Sequence, residues 1–368
     1  MNNKKLKFPS KENKEFISDL RNQVSLYFKT NNISKFGNTS IIIKSLAMGA
    51  LYLGPYMLMV SGVVTTMPLI ILSWIIMGFG MAGLGMVLMH DANHGSYSKN
   101  PKVNRWLSKS LYLLGGFPPN WRFQHNTLHH GYTNIDDHDE DIAPVGILRF
   151  SPNKPLLKIH RFQHLYAWFF YPLMTLSWVT AKDFTRISKY KKMSATLTKK
   201  NNFKRMYVDL VVAKILYYSV FLLIPMLTIP LAWYWIVVLF LVMHFIGGFT
   251  LTVIFQTAHV MPSSIFPLPD EQGSMENNWA VHQLLTTTDY APKSRVFSWF
   301  IGGLNYQVVH HLFPNISHVH YKKLSEIVRE TTQKYNLPYY VQPTFLDALR
   351  QHYNMLKALG RSTPMAVA

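Results

Sequence analysis

The stretch from Gly85 to His94 reads GMVLMHDANH, and its reading decides the fold. An apolar run passes without a break into two histidines at i and i+4, positions that share one face of a helix. Working outward, residues 45–89 contain no Asp, Glu, Lys or Arg, and neither do residues 215–269. A membrane span takes about 20 apolar residues, so each block is long enough for two spans and a tight turn. The pattern predicts an all-α integral membrane protein. It has four transmembrane helices, arranged as two hairpins, with a cytosolic helical cap that carries a histidine-rich metal site.

Charge gives the orientation. The chain has 37 Lys and Arg against 18 Asp and Glu, a formal net charge of +19. Lys4, Lys5, Lys7, Lys11, Lys14 and Arg21 precede the first uncharged block. Lys182, Arg186, Lys189, Lys191, Lys192, Lys199, Lys200, Lys204 and Arg205 precede the second. The expected turns inside the blocks, Ser61–Met67 and Pro225–Pro230, carry no charge. By the positive-inside rule both termini and the middle segment are cytoplasmic. The 368 residues then form one membrane domain: a cytosolic tail (1–40), hairpin one (41–89), a cytosolic segment (90–205), hairpin two (206–256) and a cytosolic remainder (257–368). The tail is lysine-rich, has an amphipathic stretch around Phe16–Phe28, and lacks the apolar core of a cleavable signal. The aromatic stretch His160–Thr180 is read as an interfacial or re-entrant helix, because a fifth span would put the histidine clusters on opposite sides. Basic runs beside spans suit anionic lipid headgroups. No nucleic-acid motif accompanies them, so nucleic acid is not an expected partner.

Three clusters carry the chemistry: His90-Asp-Ala-Asn-His94, His125-Asn-Thr-Leu-His129-His130 and Gln307-Val-Val-His310-His311. A single HxxxH is commonplace, and a lone intramembrane histidine is usually a packing residue. Three clusters on one predicted membrane face are a different matter. Neutral imidazole is a ligand for iron, copper or zinc. The chain has no cysteine, which excludes disulfides, iron–sulfur clusters and thiolate sites. Structural zinc needs only four ligands. The carboxylate di-iron pattern needs Glu-x-x-His, which occurs nowhere here. A histidine-rich di-iron centre is the economical choice, with oxidation of an inert C–H bond as its task. His244, inside the fourth span, reads as a hydrogen-bonded packing residue. His138, His160, His164, His318, His320 and His352 read as surface or interfacial. His259, directly after the fourth span, stays open between a packing and a functional role.

HDANH, HNTLHH and QVVHH resemble, in order and separation, the three histidine boxes of the membrane fatty acid desaturases. The resemblance covers about residues 45–345. Gln307 in the leading position of the third box is similar to the front-end acyl-lipid branch, which places a double bond between an existing one and the carboxyl end. The stretch from Asn278 to His282 is similar to a further family element, in which the histidine is a ligand and the asparagine reaches the metal through water. Trp121 and Asn126 also fit the pattern. The resemblance implies two irons held by His90, His94, His125, His129, His130, His282, His310 and His311. Gln307 would be a weak ligand or a hydrogen-bonding neighbour, Asn278 would hold a water, and Asp91, Asn93 and Asn126 would orient imidazoles. It implies O2 as co-substrate, two external electrons per double bond, and a fatty acyl lipid or acyl-CoA substrate in the membrane. Many front-end enzymes carry a fused cytochrome with a His-Pro-Gly-Gly motif. That motif is absent here, so a separate ferredoxin or b-type cytochrome is the expected donor.

Two rivals remain at this level. A fatty acid or sphingolipid hydroxylase on the same scaffold shares the first hydrogen abstraction. A metal transporter would place its histidines inside spans, where only His244 lies mid-span.

Overall fold

The computed structural model describes residues 6–9, 13–143, 146–193 and 203–361. After an amphipathic helix α1 (Lys14–Thr30), four helices are long and apolar enough to cross a membrane: α2 (Thr39–Val60), α3 (Met67–His94), α4 (Phe203–Thr228) and α5 (Trp233–His259). The first turn falls where the sequence places it, at 61–66; the second lies at 229–232, later than the expected Pro225–Pro230, because Pro225 to Thr228 stay helical. α3 and α5 outrun their expected ends: α3 continues through a π-helical turn, Gly85–Met89, into His90–His94, and α5 continues to His259. Gly95, at φ 73°, takes the left-handed conformation that closes α3 directly after His94.

α3 is the most enclosed of the four and lies between α2 and α5. The approach is close because Gly80 has no side chain: a Cβ there would sit 2.5 Å from the Tyr52 amide nitrogen. Ile42, Ile43, Leu46, Leu69, Leu72, Val212 and Ile215 point outward and are exposed, an apolar shell suited to lipid. α4 is tied inward by Lys214. Its ammonium donates at 2.6 Å to Asp183 Oδ2 and to the carbonyls of Gly115 and Trp178. His244 also follows the packing reading, bonded to Tyr217 Oη at 2.9 Å and to Thr175.

The polar segments pack against these helices and against one another. Residues 163–193 form a broken helix: Gln163–Phe170, Leu173–Ser177, a π-helical turn Trp178–Lys182, and Asp183–Met193. Its middle packs on α5. After α5 come α6 (Trp279–Thr286), α7 (Gln307–Leu312), α8 (Tyr321–Lys334) and α9 (Phe345–Leu359). α1 buries Phe16, Leu20 and Val24, at i, i+4 and i+8, among Tyr321, Leu324 and Val328 of α8. The all-α expectation needs one correction. Asp289–Tyr290 and Val341–Gln342 (β1 and β2) pair in parallel, and there the amides of Asp289 and Ala291 find the carbonyls of Tyr340 and Gln342.

Candidate metal centre

All three histidine clusters converge. His90 and His94 come from the last turn of α3. His125, His129 and His130 come from a π-helical turn, Phe123–His129, and the residue after it. His310 and His311 come from α7. In a straight α-helix His130 would face well away from His125. The His130 amide instead bonds to the His125 carbonyl at 3.0 Å, an i→i+5 closure. The extra residue per turn rotates His130 inward, 4.8 Å from the His125 ring.

The imidazoles form two adjoining pockets. In one, nitrogens of His90, His94, His125 and His310 all lie within 4.8 Å of one another; in the other, those of His129, His259 and His311 do. His130 stands between, its ring 4.5 Å from His310 and 4.4 Å from His311. Asp141 joins His125 and His129 on one side. The rings of Trp121 and Phe255 wall the pockets: Trp121 meets His94 edge-on and lies tilted against His125, and Phe255 lies tilted against His129.

The donor set fits metal. Each of the eight histidines has at least one buried ring nitrogen with no hydrogen-bond partner: Nδ1 of His90, both nitrogens of His130, and Nε2 of the other six. Buried polar atoms without partners are rare, and here they converge. The opposite nitrogens are held. Nδ1 of His129 lies 3.0 Å from Asp139 Oδ2, Nδ1 of His311 lies 2.7 Å from Gln283 Oε1, and Nδ1 of His259 lies 3.3 Å from the Thr286 carbonyl. These oxygens only accept, so Nδ1 carries the proton and Nε2 keeps its lone pair. Nδ1 of His310 meets Tyr321 Oη at 3.1 Å. Burial pushes His125 down to about 3. Burial among neighbouring imidazoles holds His130, His310 and His311 well below the usual range. Burial also opposes charge on His129, but Asp139 and Asp141 outweigh it and raise its pKa. The neutral form favoured at His125, His130, His310 and His311 is the form that binds metal.

Several expected roles change. His282 is not brought into either pocket. Its Nε2 lies 2.8 Å from the Thr133 carbonyl and its ring meets Phe8 edge-on. His259, carried to the pocket by α5, lies there beside His129 and His311. Asn278 caps α6, accepting from the amides of Ala280 and Val281. Asn126 donates to the Asn93 carbonyl and Asn93 to the Met89 carbonyl, so these two brace backbone rather than orient a ring. Asp91 Oδ2 accepts from Ser317 Oγ at 2.8 Å, from the His318 amide, and faces His318 Nδ1 at 3.1 Å; its Oδ1 is 3.7 Å from His90 Nδ1. The Gln307 side chain donates to the Leu304 carbonyl at 2.8 Å. His160, His164, His318, His320 and His352 are buried rather than at the surface, each with a backbone or side-chain neighbour. Sequence reasoning missed Asp139, Gln283, Tyr321 and Thr286. Only Gln283 had a signal, its place beside His282.

The profile of the fatty acid desaturase family matches residues 65–343. The chain is 33% identical over 357 residues to the sn-1 linoleoyl-lipid 6-desaturase of Arthrospira platensis, covering 94% of this chain and 92% of that one. It is 32% identical over 364 residues to the protein of the same description from Synechocystis sp., covering 98% and 99%. It is 32% identical over 363 residues to the acyl-lipid (8-3)-desaturase of Physcomitrium patens, covering 96% and 74%.

Proposed function

The chain belongs to the fatty acid desaturase family, and from that premise we propose that its eight clustered histidines hold two irons and that it desaturates acyl chains of membrane lipids at a front-end position. The carrying observation is the convergence of buried, partnerless imidazole nitrogens on two adjoining pockets. His90, His94, His125 and His310 would hold one iron, and His129, His259 and His311 the other, with His130 between them. Bound iron supplies the redox chemistry that turns O2 on an unactivated C–H bond.

The protein's own part is to hold lone pairs in place and to keep the pocket dry. Asp139, Gln283, Tyr321 and the Thr286 carbonyl fix ring orientation. Trp121 and Phe255 exclude water from the imidazole faces. The overall reaction removes one hydrogen from each of two adjacent carbons, and O2 with two external electrons and two protons leaves as two waters. The acyl-lipid names of relatives at 32–33% identity support a lipid-bound acyl chain as substrate. The basic segments flanking α2 and α4 support a cytoplasmic site and a separate acidic ferredoxin or b-type cytochrome as donor.

The test is expression in a host that makes no polyunsaturated lipids, followed by gas chromatography of fatty acid methyl esters. The expected product has a new double bond between an existing one and the carboxyl end. A hydroxylated product, with no new double bond, would sink the desaturase reading.

A further inference from the structure

Helix α7 carries His310 and His311 yet has only six residues. A helix this short leaves most of its amide protons without intrahelical partners. Its own flanking residue does not cap it: Tyr306 makes no side-chain bond to the helix start, and its hydroxyl donates to the Pro292 carbonyl. The cap comes from a distant part of the chain. Asp289 Oδ1 accepts the Val308 amide at 2.9 Å, and the Gln307 amide bonds to the same carboxylate. Oδ2 accepts from the Tyr339 hydroxyl.

Asp289 is 1% exposed and no cation is within ion-pairing distance among the described residues. Burying a carboxyl without a counter-charge is costly, and burial pushes this one up to about 7. Its main partners are the two amides that begin the histidine helix and one tyrosine. The backbone around it is equally fixed. The Asp289 amide donates to the Tyr340 carbonyl at 3.0 Å within the β1–β2 pair, and the Tyr290 amide donates to Asn305 at 3.0 Å. Three residues earlier, the Thr286 carbonyl receives His259 Nδ1, and the Thr288 amide donates to the Ala258 carbonyl at 2.9 Å. The single segment 286–290 therefore holds both the end of α5, with His259, and the start of α7, with His311. Those two rings are 4.8 Å apart.

We infer that Asp289 is a positioning residue for the metal centre: it caps α7 from outside the helix and so sets where His310 and His311 point. The inference rests on the reading that the histidine pockets hold metal. Asp289 touches no metal or substrate, and its effect passes through the helix it caps.

The experiment compares full-length wild-type protein with Asp289→Asn, Asp289→Glu, Asp289→Ala and Tyr339→Phe. The readouts are metal per chain by elemental analysis, resistance of that metal to a competing chelator, and melting temperature. Asparagine keeps an amide oxygen for the Val308 and Gln307 amides, so Asp289→Asn retains metal within a few-fold of wild type. Asp289→Ala loses the cap, and its metal affinity falls by about 10–100-fold, the cost usual for losing a group that orients a ligand. Asp289→Glu carries the same charge one carbon further and loses affinity while staying folded, which keeps the test alive if the alanine protein does not fold. Tyr339→Phe, with the cap intact, holds its metal. The inference is overturned if the alanine and glutamate variants melt lower yet hold metal as wild type does. It is equally overturned if asparagine loses metal like alanine, since charge and not the cap would then matter. Wild-type protein without metal would refute the metal reading itself, and this inference with it.

Discussion

Replacing His259 and His282 separately separates two accounts of the second pocket. Nε2 of His259 is one of three imidazole nitrogens that share that pocket with His129 and His311. Disturbing a group that merely orients a ligand costs about 10–100-fold in affinity. Removing a ligand outright lowers affinity at that site by at least about 100-fold, or about 2.8 kcal/mol at 1.4 kcal/mol per decade. His259→Ala should purify with one metal fewer per chain and no desaturase activity. His282 is different. Its Nε2–H donates to the Thr133 carbonyl at 2.8 Å, and its ring packs on Phe8. His282→Ala loses one buried hydrogen bond, about 1–3 kcal/mol of stability, and should melt lower while keeping its metal. His282→Gln, which can donate to the same carbonyl, should recover most of that loss. The assay is elemental analysis of detergent-purified protein beside thermal denaturation. Metal loss in His282→Ala together with full metal in His259→Ala would refute the assignment.

Two further predictions follow from the membrane helices. Lys214→Met strands Asp183 in a buried site where the ammonium now sits 2.6 Å away, and breaking such a pair costs about 3–5 kcal/mol; thermal denaturation of the purified variant measures it, and an unchanged melting temperature would show the pair to be energetically idle. The chain contains no cysteine, so single cysteines report topology directly. Those placed at Ser61 and Thr228 should react only with reagent outside the cell, and those at Lys189 and Ser325 only with reagent inside. Outside labelling at Lys189 would contradict the cytoplasmic orientation.

Much of this architecture is legible in the sequence because it rests on simple periodicities. The uncharged blocks 45–89 and 215–269 announce the four long helices. His90 and His94 sit at helical spacing beyond one of them and remain on it. The amphipathic run at Phe16, Leu20 and Val24 finds its partner in α8. What stays hidden depends on long-range placement. His259 follows a long apolar run and His282 only the short Trp279–Val281 stretch, and local sequence does not say which helix reaches the pocket. Here α5 carries His259 into it, whereas the Thr133 carbonyl captures His282. Asp139 lies ten residues beyond His129 and Tyr321 eleven beyond His310, in both cases across irregular chain. No fixed period links them to their rings. The π-helical turn at Phe123–His129 is hidden for the same reason: it changes which face His130 occupies without leaving a residue signature. Burial of His318 beside Asp91 and Lys44 is likewise a tertiary outcome, set where the segment after α7 folds back on α2 and α3.

Metal content of the wild-type protein tests the di-iron centre most directly. Eight converging imidazoles in two pockets predict about two irons per chain when the protein is purified from iron-replete cells without added metal. They also predict that chelation removes activity and that added ferrous iron restores it. Stoichiometric zinc with no iron would contradict the account, since zinc is redox-inert and performs no O2-dependent oxidation.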